Sequence, residues 1–277
     1  MLTFILRGLD YLFFIGKDGY YTGGAALAYA VSILLFAVAA FAFVIMLSKT
    51  KDQAEHVIAK SKTTGILSVL AGIITMLFSG WAALSLSSAV PTVLHRALLL
   101  VGILAAVYLA FFGVSVISGR FPPLVRIFGF LPAIFACLYG VCEFYQAFDR
   151  AQQSGTAYFM LSLCALSLYL TTLFYSAVGA PVTLKRLTAT AVLLPPFALA
   201  WVGGYTVGCI TGGAQFTVGH CLIALLLIIF SGCAFITLSR LDKRDVAEAK
   251  PSTISDGLNT YYNEIPTEET DEQRTDS

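Results

Sequence analysis

The chain has 277 residues, of which 58% are hydrophobic and only 12% charged, and its net charge is +1. Soluble domains run near ~45–50% apolar and ~25% charged, so half the usual charge cannot dress a soluble globule of this size. The near-neutral balance also excludes the broad basic field that attracts nucleic acid, so no nucleic-acid partner is expected.

The N-terminal segment, residues 1–22, reads as an amphipathic helix. Leu2, Ile5, Leu6, Leu9, Leu12 and Phe13 fall on one face, and Thr3, Arg7 and Asp10 fall on the opposite one. The run is short for a span and carries two charges near its middle. It is therefore expected to lie in the membrane interface, the alternative being a helix packed on the bundle. Arg7 and Asp10 interrupt the apolar run and no small-residue cleavage site follows it, so a cleavable signal peptide of the usual form is not expected.

Residues 23–239 form the expected transmembrane domain. A helix needs about 20 apolar residues to cross ~30 Å of hydrocarbon. Seven stretches meet that requirement: Gly24–Leu47, Thr64–Leu86, Ala97–Ser118, Leu124–Gln146, Ala157–Val178, Leu187–Gly208 and Val218–Leu238. The last two lie in one charge-free run. The split between them falls at Thr211-Gly212-Gly213-Ala214-Gln215, where glycine and polar side chains favour a tight connection. The fold class is thus an all-α integral membrane protein, a bundle of about seven transmembrane helices. Its packing is expected to use small residues, such as Ser68 with Gly72 and Ala106 with Ala110.

Lysine and arginine set the expected orientation. Lys49, Lys51, Lys60, Lys62, Arg120, Arg126, Lys185, Arg186, Arg240, Lys243, Arg244 and Lys250 fall on one side, and only Arg7, Lys17, Arg96 and Arg150 on the other. That bias puts the C-terminus in the cytoplasm and the N-terminus outside, in a multi-pass protein of the cell membrane. Residues 240–277 begin basic, turn acidic and hold few large apolar side chains, the composition of a disordered cytoplasmic tail. The basic start suits anionic headgroups. Tyr261 and Tyr262 mark the one stretch of the tail with aromatic content.

Ionisable side chains at membrane depth are costly and point to function. Glu143 is the only acidic residue in an assigned span. Steps of three and four residues place it on one face with Pro132, Ala136, Tyr139, Gly140, Gln146 and Arg150. Small residues on that face allow close packing, so the stripe is expected to point into the bundle and open outward. A carboxylate there suits binding a cation, relaying a proton or holding a basic group of a ligand. The structural alternative is a helix-end charge that meets headgroup water or Arg150. His220 begins the seventh span on the same side.

The sixth span carries Pro195-Pro196. These residues leave the carbonyls of Ala191 and Val192 without their usual amide donors, with Thr188 and Thr190 nearby to help. A broken helix of this kind makes an ion or substrate site, or a hinge, or is simply a static kink. The candidate pathway residues are therefore Glu143, Tyr139, Gln146, Pro195 and Pro196. Six cysteines are present and none forms a CxxC pair. Cys209 and Cys221 flank the last outer connection and are placed to form a disulfide there. Cys209, Cys221 and His220 do not make a convincing metal set.

No HExxH, GxSxG or P-loop occurs, and the spans hold no pair of acids, so neither an enzyme nor a cofactor is expected. Three functional classes fit: a small-solute or ion permease or transport component, an accessory or assembly subunit of a membrane complex, and a seven-helix sensor or receptor. The layout is similar to that of G-protein-coupled receptors in helix count alone. The third span does not end on an acidic-Arg-Tyr triplet, and the seventh lacks Asn-Pro-x-x-Tyr. The expected partners are the lipid bilayer and, in the accessory class, another membrane protein.

Overall fold

Long apolar runs joined by short polar segments fold into helices because a helix bonds its own backbone polar groups internally, as lipid requires. The structure, a computed structural model, describes residues 2–15, 61–85, 91–146, 154–178, 184–212, 214 and 216–247. Among the described residues the helices are α1 (Leu2–Phe13), α2 (Lys62–Ser85), α3 (Thr92–Ser118), α4 (Pro123–Ile127), α5 (Leu131–Gln146), α6 (Ser154–Ala177), α7 (Leu184–Thr211) and α8 (Val218–Ala247). Six stretches are long and apolar enough to cross a membrane: α2, α3, the α4–α5 pair, α6, α7 and α8 up to Arg240. They match six of the seven expected spans. The remaining one, Gly24–Leu47, lies outside the described residues, as does most of the tail. The chain divides at Arg240 into two compact units. Of the second unit, 241–277, only residues 241–247 are described, as helix.

Sequence-neighbouring spans run antiparallel. Gly65 faces Gly113 and Ile117, and Gly72 faces Ala106 and Ala110, so α2 and α3 pass each other backbone to backbone. A Cβ on Gly113 would sit 2.5 Å from the Gly65 carbonyl oxygen, and one on Gly72 would sit 2.8 Å from that of Ala106. The expected meeting of small residues on these two spans is thus realised at Gly72. Ser61 caps α2, accepting a bond from the Thr64 amide at 3.3 Å. Gly119, at φ 71°, ends α3 in the left-handed conformation that a residue without Cβ adopts freely.

Around this pair, α5 packs on α3, α6 on α5 and α7 on α6. Helix α8 reaches four of the others. It lies by α2 through Gly219 and Trp81, by α5 through His220 and Glu143, by α6 through Thr237 and Tyr169, and by α7 through Thr217 and Tyr205. The most enclosed of the described spans is α7, with 67% of its apolar stretch buried against 39% for α2.

Three features differ from expectation. First, the fourth span is not one continuous helix; it breaks between Ile127 and Leu131. Pro132 has no amide hydrogen to offer the Phe128 carbonyl, which the Leu131 amide takes instead at 3.1 Å. The Tyr108 hydroxyl satisfies the Val125 carbonyl at 3.0 Å. Gly129 fits the bend, since a Cβ there would press on Phe174 and Tyr108, each at 3.3 Å. Second, α7 runs unbroken through Pro195 and Pro196. Thr190 does not serve the carbonyls freed by the prolines. Its hydroxyl bonds the Arg186 carbonyl at 2.9 Å and the Thr172 hydroxyl of α6 at 2.6 Å.

Third, α1 takes the alternative placement, packed on the bundle, and it turns Arg7 rather than its apolar stripe toward it. Arg7 is only 1% exposed, while Ile5, Leu9, Leu12 and Phe13 face outward. The helix packs on α7, with Gly8 against Val207. The Arg7 guanidinium lies 4.5 Å from the centre of the Tyr158 ring, where the π-face attracts it. Lipid welcomes the apolar stripe, and the bundle takes the charge.

The α2–α3 contact leaves little room for added volume. Gly113→Val is expected to destabilise the purified protein by about 1–3 kcal/mol, because the obstacle is backbone rather than a movable side chain. Gly80, whose Cβ would meet nothing within 4 Å, is the matched control, and Gly80→Ala is expected to unfold at the wild-type temperature. Thermal unfolding in detergent measures both.

Candidate functional site

The ends of α5, α6, α7 and α8 meet at one end of the bundle, and the polar residues of the spans gather there. Glu143 lies in the last turn of α5 and Tyr139 one turn earlier. The i, i+4 spacing puts both on one face, and the Tyr139 hydroxyl donates to Glu143 Oε1 at 2.5 Å. Tyr139 is buried, and Ala136 is buried on the same face. The stripe therefore points into the bundle, as the three- and four-residue spacing implied. The Glu143 side chain is 12% exposed.

The second carboxylate oxygen faces α8. His220 Nε2 lies 3.7 Å from Glu143 Oε2, with the His220 side chain 29% exposed. Thr217 fixes the imidazole. It is the N-cap of α8, and its Oγ1 accepts the His220 backbone amide at 3.2 Å and lies 2.8 Å from His220 Nδ1. A hydroxyl has one hydrogen and two lone pairs, so Oγ1 serves Nδ1 as donor or as acceptor according to the imidazole tautomer. With both nitrogens protonated the contact with Glu143 becomes an ion pair. The α8 N-terminus adds a partial positive charge near Glu143, a favourable interaction of roughly 0.3–1 kcal/mol for a carboxylate.

Aromatic rings wall this pair. Around His220, the Phe159 ring of α6 lies at 5.7 Å and the Trp201 and Tyr205 rings of α7 at 6.0 and 5.4 Å, centre to centre. Trp201 and Tyr205 stack on each other at 5.3 Å, and Phe159 meets Trp201 at 4.6 Å. A second row, Phe78 and Phe159, packs edge-on against Tyr139 at 4.6 and 5.8 Å. Trp81 of α2 completes the enclosure, since Gly219 leaves no room between α8 and the indole for a side chain. The Tyr205 hydroxyl accepts the Thr217 amide at 3.0 Å and donates to the Thr217 carbonyl at 3.4 Å, tying α7 to the cap of α8.

The other sequence candidates fare differently. Gln146 closes α5, and its side chain lies outside the described ones. Pro195 and Pro196 lie more than a turn along α7 from Trp201 and belong to the helix rather than to the polar cluster. Arg150 also lies outside the described residues. Cys209 and Cys221 are free thiols. The Tyr205–Thr217 clamp holds the connection they flank. Among the described residues, no group of three metal-ligating side chains occurs.

Sequence reasoning found Glu143 and Tyr139 but did not join them to His220, Thr217, Phe159, Trp201 and Tyr205. The available signal was positional: each of these residues lies near the same end of its span, and aromatic side chains concentrate at membrane interfaces.

No family model, curated protein or solved structure matches the chain. The fold itself defines the class: a polytopic α-helical membrane protein.

Thr217→Ala removes the α8 cap and the partner of the imidazole together. The expected cost is about 1 kcal/mol, read as a fall of about 2–4 °C in the unfolding temperature in detergent. Thr217→Ser keeps the oxygen and is expected to unfold within a degree or so of wild type, a difference that a simple loss of packing at Thr217 would not produce.

Proposed function

We propose that this is a non-enzymatic, multi-pass protein of the cell membrane that takes part in moving a small solute or ion. The observation that carries the reading is Glu143. It is the one acidic side chain within the six described spans, it faces inward, and it is only 12% exposed. A carboxylate so placed, with an imidazole beside it, has the chemistry to take up and release a cation or a proton. The lysine and arginine bias supports an outside N-terminus and a cytoplasmic C-terminus. Lys62, Arg120, Arg126, Lys185, Arg186 and Arg240 all fall at the end opposite Glu143, so the site opens on the outer face.

A second reading has its own support. Both carboxylate oxygens face groups of this same chain, Tyr139 and His220. This arrangement also serves an accessory or assembly subunit whose bundle is locked for packing against another membrane protein.

Reconstituted vesicles separate the two. In the transport reading, Glu143→Gln reduces flux of the transported species to the empty-vesicle background while yield and unfolding temperature stay near wild type. Wild-type flux in that variant would remove Glu143 from the mechanism. In the accessory reading, purification from the native membrane in mild detergent returns a stoichiometric membrane partner, and the solitary protein carries no flux.

A further inference from the structure

We infer that the Glu143 end of the bundle binds a small organic cation, an amine or quaternary ammonium group, at the place the His220 imidazole now fills. This rests on the reading of Glu143 as a functional group and names what it holds.

The argument starts from what surrounds the imidazole. Three aromatic rings from two helices stand 5.4 to 6.0 Å from its centre. Each is inclined by 63° to 84° to the imidazole plane, and a ring whose face is turned on a cation within about 6 Å attracts it, which is how proteins recognise quaternary ammonium groups. A carboxylate oxygen at 3.7 Å supplies the opposite charge. The mixture of groups selects among cations. Calcium requires six to eight oxygen ligands and magnesium a near-ideal octahedral shell, and this site offers one carboxylate and a wall of carbon. A weakly hydrated, bulky cation loses little by leaving water and gains from every ring.

His220 then acts as a stand-in. It is a flat ring of about the right size, seated where the cation would sit and able to carry a positive charge itself. The polar contacts of its ring are to Thr217 and Glu143. At 29% exposure it is the most open member of the pair, so one side of the enclosure is not covered by protein. Rotation of the imidazole toward that side leaves the three rings and the carboxylate as an emptied box. Binding therefore competes with the His220 side chain, and the apparent affinity is lowered by the fraction of time the imidazole fills the site.

The chain's two tryptophans both report on this end. Trp201 forms part of the wall and Trp81 covers Gly219. The experiment is a titration of the purified full-length protein in detergent with tetramethylammonium chloride, followed by tryptophan fluorescence and matched to sodium chloride at equal ionic strength. The expected result is a saturable change with tetramethylammonium and none with sodium. Glu143→Gln is expected to weaken binding by about 30-fold or more, the size of effect that follows loss of a poorly hydrated charge partner. Glu143→Asp retains the charge and is expected to bind within a few-fold of wild type. His220→Ala empties the box and is expected to bind more tightly than wild type. That sign separates an occupant from a structural residue, whose loss would weaken binding.

The inference is overturned if neither wild type nor a monodisperse His220→Ala protein gives a saturable response. It is equally overturned if Glu143→Gln binds as wild type does, or if His220→Ala binds more weakly while keeping its unfolding temperature. The transport reading fails separately. A tetramethylammonium response with no vesicle flux upholds the cation site and removes transport. Glu143-dependent flux of an inorganic ion with no such response upholds transport and overturns the cation site.

Discussion

A carboxylate turned into an apolar bundle needs hydrogen-bond donors or positive charge from the protein, because lipid supplies neither. Glu143 imposes that demand at one end of this structure, and the neighbouring helices are placed to meet it. One oxygen takes the Tyr139 hydroxyl from its own helix, and the other faces His220 from α8. The imidazole must in turn be aimed, which Thr217 does, and Thr217 must be held, which Tyr205 does from α7. The rings of Phe159, Trp201 and Tyr205 fill the space between these polar groups, and their aromatic faces tolerate a neighbouring charge better than aliphatic side chains would. One acidic residue thus sits where four helix ends meet.

The rest of the bundle obeys the same rule with smaller groups. Thr75, Ser79, Thr206 and Thr237 each return a hydroxyl to the carbonyl four residues earlier in their own helix. Most of the polar content of the interior is therefore spent locally and does not bind helices together. Among the described residues, other side chains do bridge helices: Tyr169 with Thr237, Thr172 with Thr190, Ser167 with the Ala133 carbonyl. What holds α2 to α3 is close approach at glycines, where backbones gain dispersion, together with the bond between His95 Nε2 and the Ala82 carbonyl at 3.1 Å.

The spans were legible because charge-free runs of the right length have few other uses, and six of them recur as helices at nearly the expected bounds. The inward face of α5 was legible from residue spacing alone. The partner of Glu143 was not: Glu143 and His220 are far apart in sequence, and nothing local to either names the other. Two adjacent prolines remove two hydrogen bonds wherever they occur, yet α7, the most enclosed of the described spans, remains one helix through them. Pro132 alone, near a helix start and following Gly129, accompanies the actual interruption. The N-terminal helix shows a further limit. Its periodicity identified two faces correctly, but periodicity does not say which face meets protein. Around a membrane bundle the surroundings are oil, and Arg7 turns inward, toward Tyr158.

The Tyr205 clamp also has a mechanical meaning. A single hydroxyl holds both the amide and the carbonyl of Thr217, so the end of α7 and the start of α8 move as one piece. His220 is bonded to that same Thr217, while Glu143 stands on α5. The 3.7 Å approach of carboxylate to imidazole is therefore also the place where α5 meets the tied ends of α7 and α8.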